Sequence, residues 1–300
     1  MTDPTPRPIV AVKPIRVDSP GRSVVLEVRV TAPVSGGVLP VIVFSHGNQW
    51  SLDGYAPLVD RWAAAGFIVV QPTHLDSRRH GIGFDDPRFG DIWRVRIADL
   101  HAILDGLDGI LDRAAPIAAR ADHARIAVVG HSWGAQTAGA VLGAGVFGAD
   151  GRAGETFAHP AVAAGALIGV TGTGDSLTEF AQTHLPFMRP DYSTMTTPAL
   201  VIAGGEDRSG LSTRGPEWFT DAYHLSPAPK TLITIADAEH TFGGIAGEKV
   251  AETTDDDPAR AGFVADAVAA YLRRALDGDG DAWAAVTAEA GTGVYDVTGS

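Results

Sequence analysis

Gly130-His131-Ser132-Trp133-Gly134 lies between two runs that read as different structures. Arg125–Val129 before it is short, apolar and rich in β-branched residues, the pattern of a strand. Ala135–Leu142 behind it is small and apolar, as in a helix buried against a sheet. A strand that turns directly into a helix leaves Ser132 at the apex of the turn, above the carboxyl edge of the sheet. It also sits at a helix N-terminus, where the dipole favours developing negative charge. Glycines at 130 and 134 give so sharp a turn room against neighbouring backbone. The bare pattern G-x-S-x-G says little; the strand ahead of it and the helix behind it make this the deciding stretch.

The rest of the chain repeats that alternation. Ile9–Val17 and Val24–Thr31 are β-branched and separated by the turn cluster 18–21, so they predict an antiparallel edge. Val41–Ser45, Phe67–Val70, Ala163–Val170, Ala199–Ala203 and Leu232–Ala236 are further short apolar runs. Helical spacing marks Gly54–Ala65, through Tyr55, Leu58, Val59 and Trp62, and Ile92–Leu111, through Val95, Leu100, Ile103, Leu104 and Leu107. Pro258–Leu276 opens with proline and stops before Gly278, as a helix does. Trp93 is expected to pack in the core on its helix. Fully apolar strands alternating with helices predict an α/β fold: a mostly parallel, eight-stranded sheet covered by helices on both faces. One domain is expected over 1–276. Residues 172–198 are the long irregular stretch, a candidate pocket wall or small lid. Residues 277–300, rich in Gly, Asp and Ala, are expected to be a loosely attached tail.

A serine hydroxyl needs a base, and in chain order the partners of an elbow serine follow it as carboxylate, then histidine. His240, in a Gly-bearing loop just past the last strand, is the expected base. His159, His184 and His224 have no such position. Asp207, past Ala199–Ala203, is the expected acid; Asp175, past the preceding strand, is its rival. An oxyanion needs two donors. One is the backbone N–H of Trp133. The other is that of Asn48, in the loop His46-Gly47-Asn48-Gln49-Trp50 after an early strand. Gln49, Trp50 and His131 are the candidate substrate-binding residues, with Trp50 and Trp133 suited to an apolar or aromatic group.

Composition sets the outer limits. The 300 residues are 45% hydrophobic and 20% charged, enough apolar material for a large core and unlike a disordered chain. No apolar run is long enough for a membrane helix. The net charge of −13 opposes binding to nucleic acid or to anionic membrane surfaces. With no cysteine, disulfides and thiolate chemistry are excluded. The N-terminus has proline at 4, 6 and 8 and no apolar stretch after a basic head, so a cytoplasmic location is expected.

Taken together, Phe44-Ser-His-Gly47, the Gly66–Val70 strand, Gly130-His-Ser-Trp-Gly-Ala135 and His240-Thr-Phe-Gly-Gly244 resemble the α/β-hydrolase superfamily. Within it the chain resembles the dienelactone-hydrolase-like group, related to chlorophyllases and platelet-activating-factor acetylhydrolases. The segment 251–255, followed by Pro258 and a final helix, shares that likeness, which spans roughly residues 38–276. The resemblance implies Ser132 as nucleophile, Asp207 as acid and His240 as base, with the N–H groups of Asn48 and Trp133 as oxyanion hole. It implies a serine esterase working through an acyl-enzyme on a small ester, with no cofactor and no metal. Dienelactone hydrolase itself uses a cysteine, absent here, so its substrate does not transfer. Relatives often carry Phe where this chain has Trp133.

Amide cleavage and acyl transfer use the same triad. A non-catalytic binding module is the alternative outside enzymology, and the intact Ser-Asp-His set stands against it. Other signals carry less. Gly143–Gly148 matches G-x-G-x-x-G but follows a helix instead of a strand. The acidic run 277–281 lacks the later positions of a calcium loop. Asp255-Asp256-Asp257 is expected to charge the N-terminus of the last helix. His74, Asp76, Arg78, Arg79 and His80 crowd one loop without metal-ligand spacing and are expected to form a pocket rim.

Overall fold

The computed structural model describes residues 7–115, 117–148, 152, 154–247 and 254–299. In chain order the strands are β1 (Ile9–Val17), β2 (Leu26–Pro33), β3 (Leu39–Ser45), β4 (Ile68–Thr73), β5 (Ala121–His131), β6 (Gly145–Val146), β7 (Val162–Ile168), β8 (Pro190–Asp191), β9 (Ala199–Gly204), β10 (Lys230–Ile235) and β11 (Tyr295–Gly299). The helices are α1 (Ala56–Ala64), α2 (Ile92–Asp105), α3 (Leu107–Asp112), α4 (Trp133–Val141), α5 (Glu179–His184), α6 (Asp221–Leu225), α7 (Pro258–Asp277) and α8 (Asp281–Ala288).

Among the described residues one sheet runs β1-β2-β4-β3-β5-β7-β9-β10-β11. Strands β4, β3, β5, β7, β9 and β10 are parallel. β1 and β2 form the expected antiparallel edge. Side chains alternate across a strand, and the core divides accordingly. Val41, Val43 and Val128 face α2, α3 and α4. Ile42, Phe44, Ala127 and Val129 face α1 and α7. With both faces buried, these strands carry no polar alternation, which is why they read as continuous apolar runs.

The expected strand count falls short by one. Nine strands join the sheet, and the ninth, β11, comes from the stretch expected to be a tail. It pairs antiparallel with β10 from Thr231↔Gly299 to Ile235↔Tyr295. The preceding helix α8 buries Trp283 against Tyr271 of α7, ring centroids 5.5 Å apart. Glycine-rich composition hid a strand whose register is set by its partner. The predicted helix Ile92–Leu111 divides at Gly106 into α2 and α3. The irregular stretch 172–198 contains α5, and its β8 pairs with β6 in a separate two-stranded sheet. Residues 1–6 and, within the segment 251–255, residues 251–253 lie outside the described residues. Among the described residues no helix is long and apolar enough to cross a membrane.

Candidate active site

The elbow forms because β5 and α4 meet at glycines that nothing else can replace. A Cβ on Gly134 would lie 2.0 Å from the Ser45 carbonyl oxygen, and one on Gly130 would lie 2.1 Å from the Gly134 carbonyl oxygen. Ser132 itself is held at φ 57°, ψ −126°, a conformation costly for a residue with a side chain. Its N–H donates to the Ile168 carbonyl at 2.9 Å, and its own carbonyl accepts from Ala135 and Gln136 in the first turn of α4.

Two loops from distant parts of the chain meet the serine. His240 Nε2 lies 2.8 Å from Ser132 Oγ. His240 Nδ1 lies 2.8 Å from Asp207 Oδ2. An ionised carboxylate only accepts, so Nδ1 carries the ring proton and Nε2 accepts from the serine hydroxyl. The Asp207 side chain is fully buried, while that of His240 is 36% exposed. Asp175 is exposed, and its partner is the Thr173 hydroxyl. The structure therefore brings Asp207, and not Asp175, to the imidazole. This arrangement can draw the proton from Ser132 and hold the resulting imidazolium.

Sequence reasoning missed the support of the His240 loop. The N–H groups of Glu239 and Gly243 both donate to Asp255 Oδ2 at 3.0 Å, and Arg260 pairs with the same carboxylate. Of the three aspartates read as charging α7, Asp257 is the cap, accepting from Ala259 and Arg260 N–H. Asp255 anchors the loop instead. Its signal would have been an acid a fixed distance after a loop histidine, which is too common to single out.

The loop 46–50, expected to supply the second oxyanion donor, packs against the nucleophile turn. A Cβ on Gly47 would lie 3.5 Å from the Ser132 Cβ. Asn48 and Gln49 are exposed, and Gln49 accepts from Arg78 Nε at 3.1 Å. Trp50 is half-buried, its ring edge-on to Tyr55 at 5.6 Å. The Trp133 side chain is buried and does not lie over the site. It stacks on Phe187 at 5.6 Å, with the Arg96 guanidinium 5.1 Å from its ring centre. Phe187 stacks in turn on Trp93, which is half-buried against the core. His131 is also buried and has both ring nitrogens bonded within the fold: Nδ1 to the Tyr55 hydroxyl and Nε2 to the His240 carbonyl, each at 2.8 Å. Burial pulls its imidazole down to about 3, and the neighbouring His240 adds to the shift.

Part of the loop expected as a pocket rim is instead a buried support. His74 and Asp76 are almost fully buried, while Arg78 and Arg79 are exposed. Arg96 Nη1 donates to Asp76 Oδ1 at 2.6 Å, and Arg96 Nη2 donates to the His46 carbonyl. Asp76 Oδ2 accepts from Gln49 N–H at 3.1 Å. This ion pair thus grips the loop 46–49 on both sides of Asn48. Burial pushes the Asp76 carboxyl up, but Arg96, His46 and the Gln49 N–H outweigh it and hold the group below its usual range. Burial, reinforced by Arg96, pulls His46 down to about 3.

Alongside runs a second Ser-His-Asp set. Ser45 Oγ is 2.9 Å from His74 Nε2, and His74 Nδ1 is 2.9 Å from Asp99 Oδ2. Asp99 also accepts from Ser19 at 2.8 Å and from Arg22 at 2.6 Å. Burial pushes its carboxyl up to about 7 against the pull of Arg22. All three members are fully buried. Among the described residues no group of three or more His, Cys, Asp or Glu is arranged to hold a metal ion. Asp277, at the head of the acidic run, pairs with Arg125 and Arg273.

A chlorophyllase family model matches residues 7–206. The chain belongs to the chlorophyllase family. That family lies within the α/β-hydrolase superfamily. Chlorophyllase-1 of Arabidopsis thaliana is 26% identical over 194 residues, which is 64% of this chain and 51% of that protein. The chain therefore spans about half the length of the curated relative it matches. The chlorophyllase match takes in the oxyanion loop and Ser132 but stops one residue before Asp207. Asp207 and His240 lie beyond the matched residues.

Proposed function

We propose that this member of the chlorophyllase family is a serine ester hydrolase with Ser132 as nucleophile, His240 as base and Asp207 as its orienting acid. The observation that carries the reading is the unbroken chain from Ser132 Oγ through His240 to buried Asp207, with both links at 2.8 Å. His240 takes the hydroxyl proton as Oγ bonds to the ester carbonyl carbon. The carbonyl oxygen becomes an oxyanion, which the N–H groups of Asn48 and Trp133 receive. Trp133 begins α4, where N–H groups have no intrahelical acceptor. The imidazolium returns its proton to the departing alcohol, leaving an acyl-Ser132. Water, deprotonated by His240, releases the acid and restores the hydroxyl. The chemistry needs no metal or cofactor.

Apolar or aromatic esters are the favoured substrates. The half-exposed rings of Phe84 and Phe180 meet edge to face 5.4 Å apart, and Phe89 connects Phe84 to Trp133 beside the nucleophile. The test is labelling with a fluorophosphonate, followed by mass spectrometry of the modified peptide, together with hydrolysis of p-nitrophenyl esters. Labelling at Ser132 that collapses in His240→Ala is the expected result. A folded wild type that neither labels nor hydrolyses any ester overturns the reading.

A further inference from the structure

Tyr55 and His131 are buried, and the chemistry just described uses neither. Their hydrogen bonds form one line. Gly47 N–H lies 3.1 Å from the Tyr55 hydroxyl oxygen. That hydroxyl lies 2.8 Å from His131 Nδ1, and His131 Nε2 lies 2.8 Å from the carbonyl oxygen of His240. Both ends of the line are fixed by chemistry. A backbone N–H only donates, and a backbone carbonyl only accepts. His131 must therefore carry its proton on Nε2, its Nδ1 must accept, and the Tyr55 O–H must donate to it. No other arrangement of hydrogens satisfies every group, so the line runs in one direction from the oxyanion loop to the base.

The two side chains are themselves rigidly seated. Tyr55 caps α1 in the left-handed region at φ 65°. Its N–H donates to Ala246 O at 2.9 Å, and its ring packs edge-on to Phe44 at 5.0 Å. The His131 ring lies 4.9 Å from the His240 ring and 6.2 Å from that of Phe242. His131 directly precedes the nucleophile, Gly47 precedes the proposed donor Asn48, and His240 is the proposed base.

We propose that Tyr55 and His131 are positioning residues: together they lock the spacing between the oxyanion loop and the His240 loop across the serine. The inference rests on the reading of Ser132 and His240 as nucleophile and base. Deleting the Tyr55 hydroxyl strands Gly47 N–H and His131 Nδ1 at once. The His131 ring is then held by its bond to the His240 carbonyl alone, and the oxyanion loop is no longer tied to the His240 loop. Small displacements of a base or a donor cost rate more than binding.

The experiment compares Tyr55→Phe, His131→Leu, His131→Gln and the double variant Tyr55→Phe/His131→Leu on a p-nitrophenyl ester. Each is first checked for folding by near-UV circular dichroism. In Tyr55→Phe, kcat should fall about tenfold, about 1.4 kcal/mol of barrier from a slight displacement of the donor and base loops, with KM within about twofold. His131→Leu should fall further, by about a hundredfold. His131→Gln, which can still accept at one end and donate at the other, should recover part of that loss. The double variant should be no slower than His131→Leu within about threefold, because one line is broken either way. Losses that multiply in the double variant, or a folded Tyr55→Phe with unchanged kcat, would overturn the proposal. Should His131→Leu fail to fold, Tyr55→Phe and His131→Gln decide by the same criteria. A wild type without turnover or labelling would instead fail the underlying reading, and this inference with it.

Discussion

Replacing Arg96 by Met should destabilise the protein by about 3–5 kcal/mol, the cost of breaking a buried ion pair from one side. Arg96 is fully buried, and its guanidinium serves Asp76, the His46 carbonyl and, at 3.1 Å, Thr137 Oγ1. Met keeps most of the stem volume, so little cavity is created. What remains is the Asp76 carboxylate, 1% exposed, with the Gln49 N–H as its donor. The double variant Arg96→Met/Asp76→Leu removes that stranded charge as well. It then lacks hydrogen bonds to exposed Gln49, to the His46 carbonyl and to Thr137 Oγ1, whose hydroxyl still bonds the Trp133 carbonyl, and together these amount to about 1–2 kcal/mol. The pair should thus show a coupling of at least about 2 kcal/mol, with the double variant more stable than the Arg96 single. Urea unfolding reads this directly, as midpoints that move while the slope stays constant. Activity should not recover in parallel, because the oxyanion loop has lost both tethers. A double variant as unstable as the sum of its singles, or an Arg96→Met costing under about 1 kcal/mol, would refute the reasoning.

Three further outcomes follow from the geometry. Asp207→Asn should lower kcat by about 10³–10⁴ through the wrong imidazole tautomer, while Asp175→Asn leaves the rate unchanged; steady-state kinetics on one ester separate the two. Gly134→Ala should fail to fold, with its Cβ 2.0 Å from a carbonyl oxygen, whereas Gly139→Ala in the same helix meets only ordinary contacts at 3.8–4.0 Å and should gain about 0.5–1 kcal/mol, measured by thermal melting. His46 and His131 are held near 3 in the fold against 6.5 when unfolded, so their contribution is complete above pH 6.5 and is lost as pH falls toward 3. Each histidine acts at up to about 1.4 kcal/mol per pH unit, and Asp99, raised to about 7, opposes them by contributing most in acid and losing that contribution as pH rises through 7. Urea midpoints should therefore drop between pH 6.5 and 4 and drop more steeply in Asp99→Asn; midpoints that rise over that range contradict the assignment.

The parts of this molecule that could be read in advance are those where one local pattern has one structural outcome. A strand, G-x-S-x-G and a helix leave little choice about Ser132, and chain order then points to the loops of Asp207 and His240. The buried polar support was illegible for a reason that periodicity explains. Arg96 and Asp99 sit three residues apart on α2 among Val95, Leu100 and Ile103. Charged residues on a helix default to solvent, and only the partners at Asp76, Arg22 and His74, from other segments, allow them inside. Tyr55 was legible as part of an apolar helical face but not as a hydrogen-bonded group, since its partners are 8 and 76 residues away. His131 and Trp133 flank the nucleophile in sequence, yet successive residues in a tight turn diverge, and both side chains point into the protein. β11 needed the open edge of β10, which no local pattern announces.

The chain contains two Ser-His-Asp triples of nearly the same dimensions, 2.8 and 2.8 Å in one, 2.9 and 2.9 Å in the other. Imidazole polarisation by a carboxylate is available in both. At Ser132 the histidine side chain is 36% exposed, and the serine itself is half-buried. At Ser45 the strand is covered on both faces, and the hydroxyl is already engaged by Arg96 at 3.4 Å. A search of protein structures by interatomic distance would score the two alike. What separates the proposed hydrolytic centre from a structural clasp in this molecule is access to solvent at the imidazole, 36% exposed in one triple and fully buried in the other, a property of the surrounding fold and absent from the triple itself.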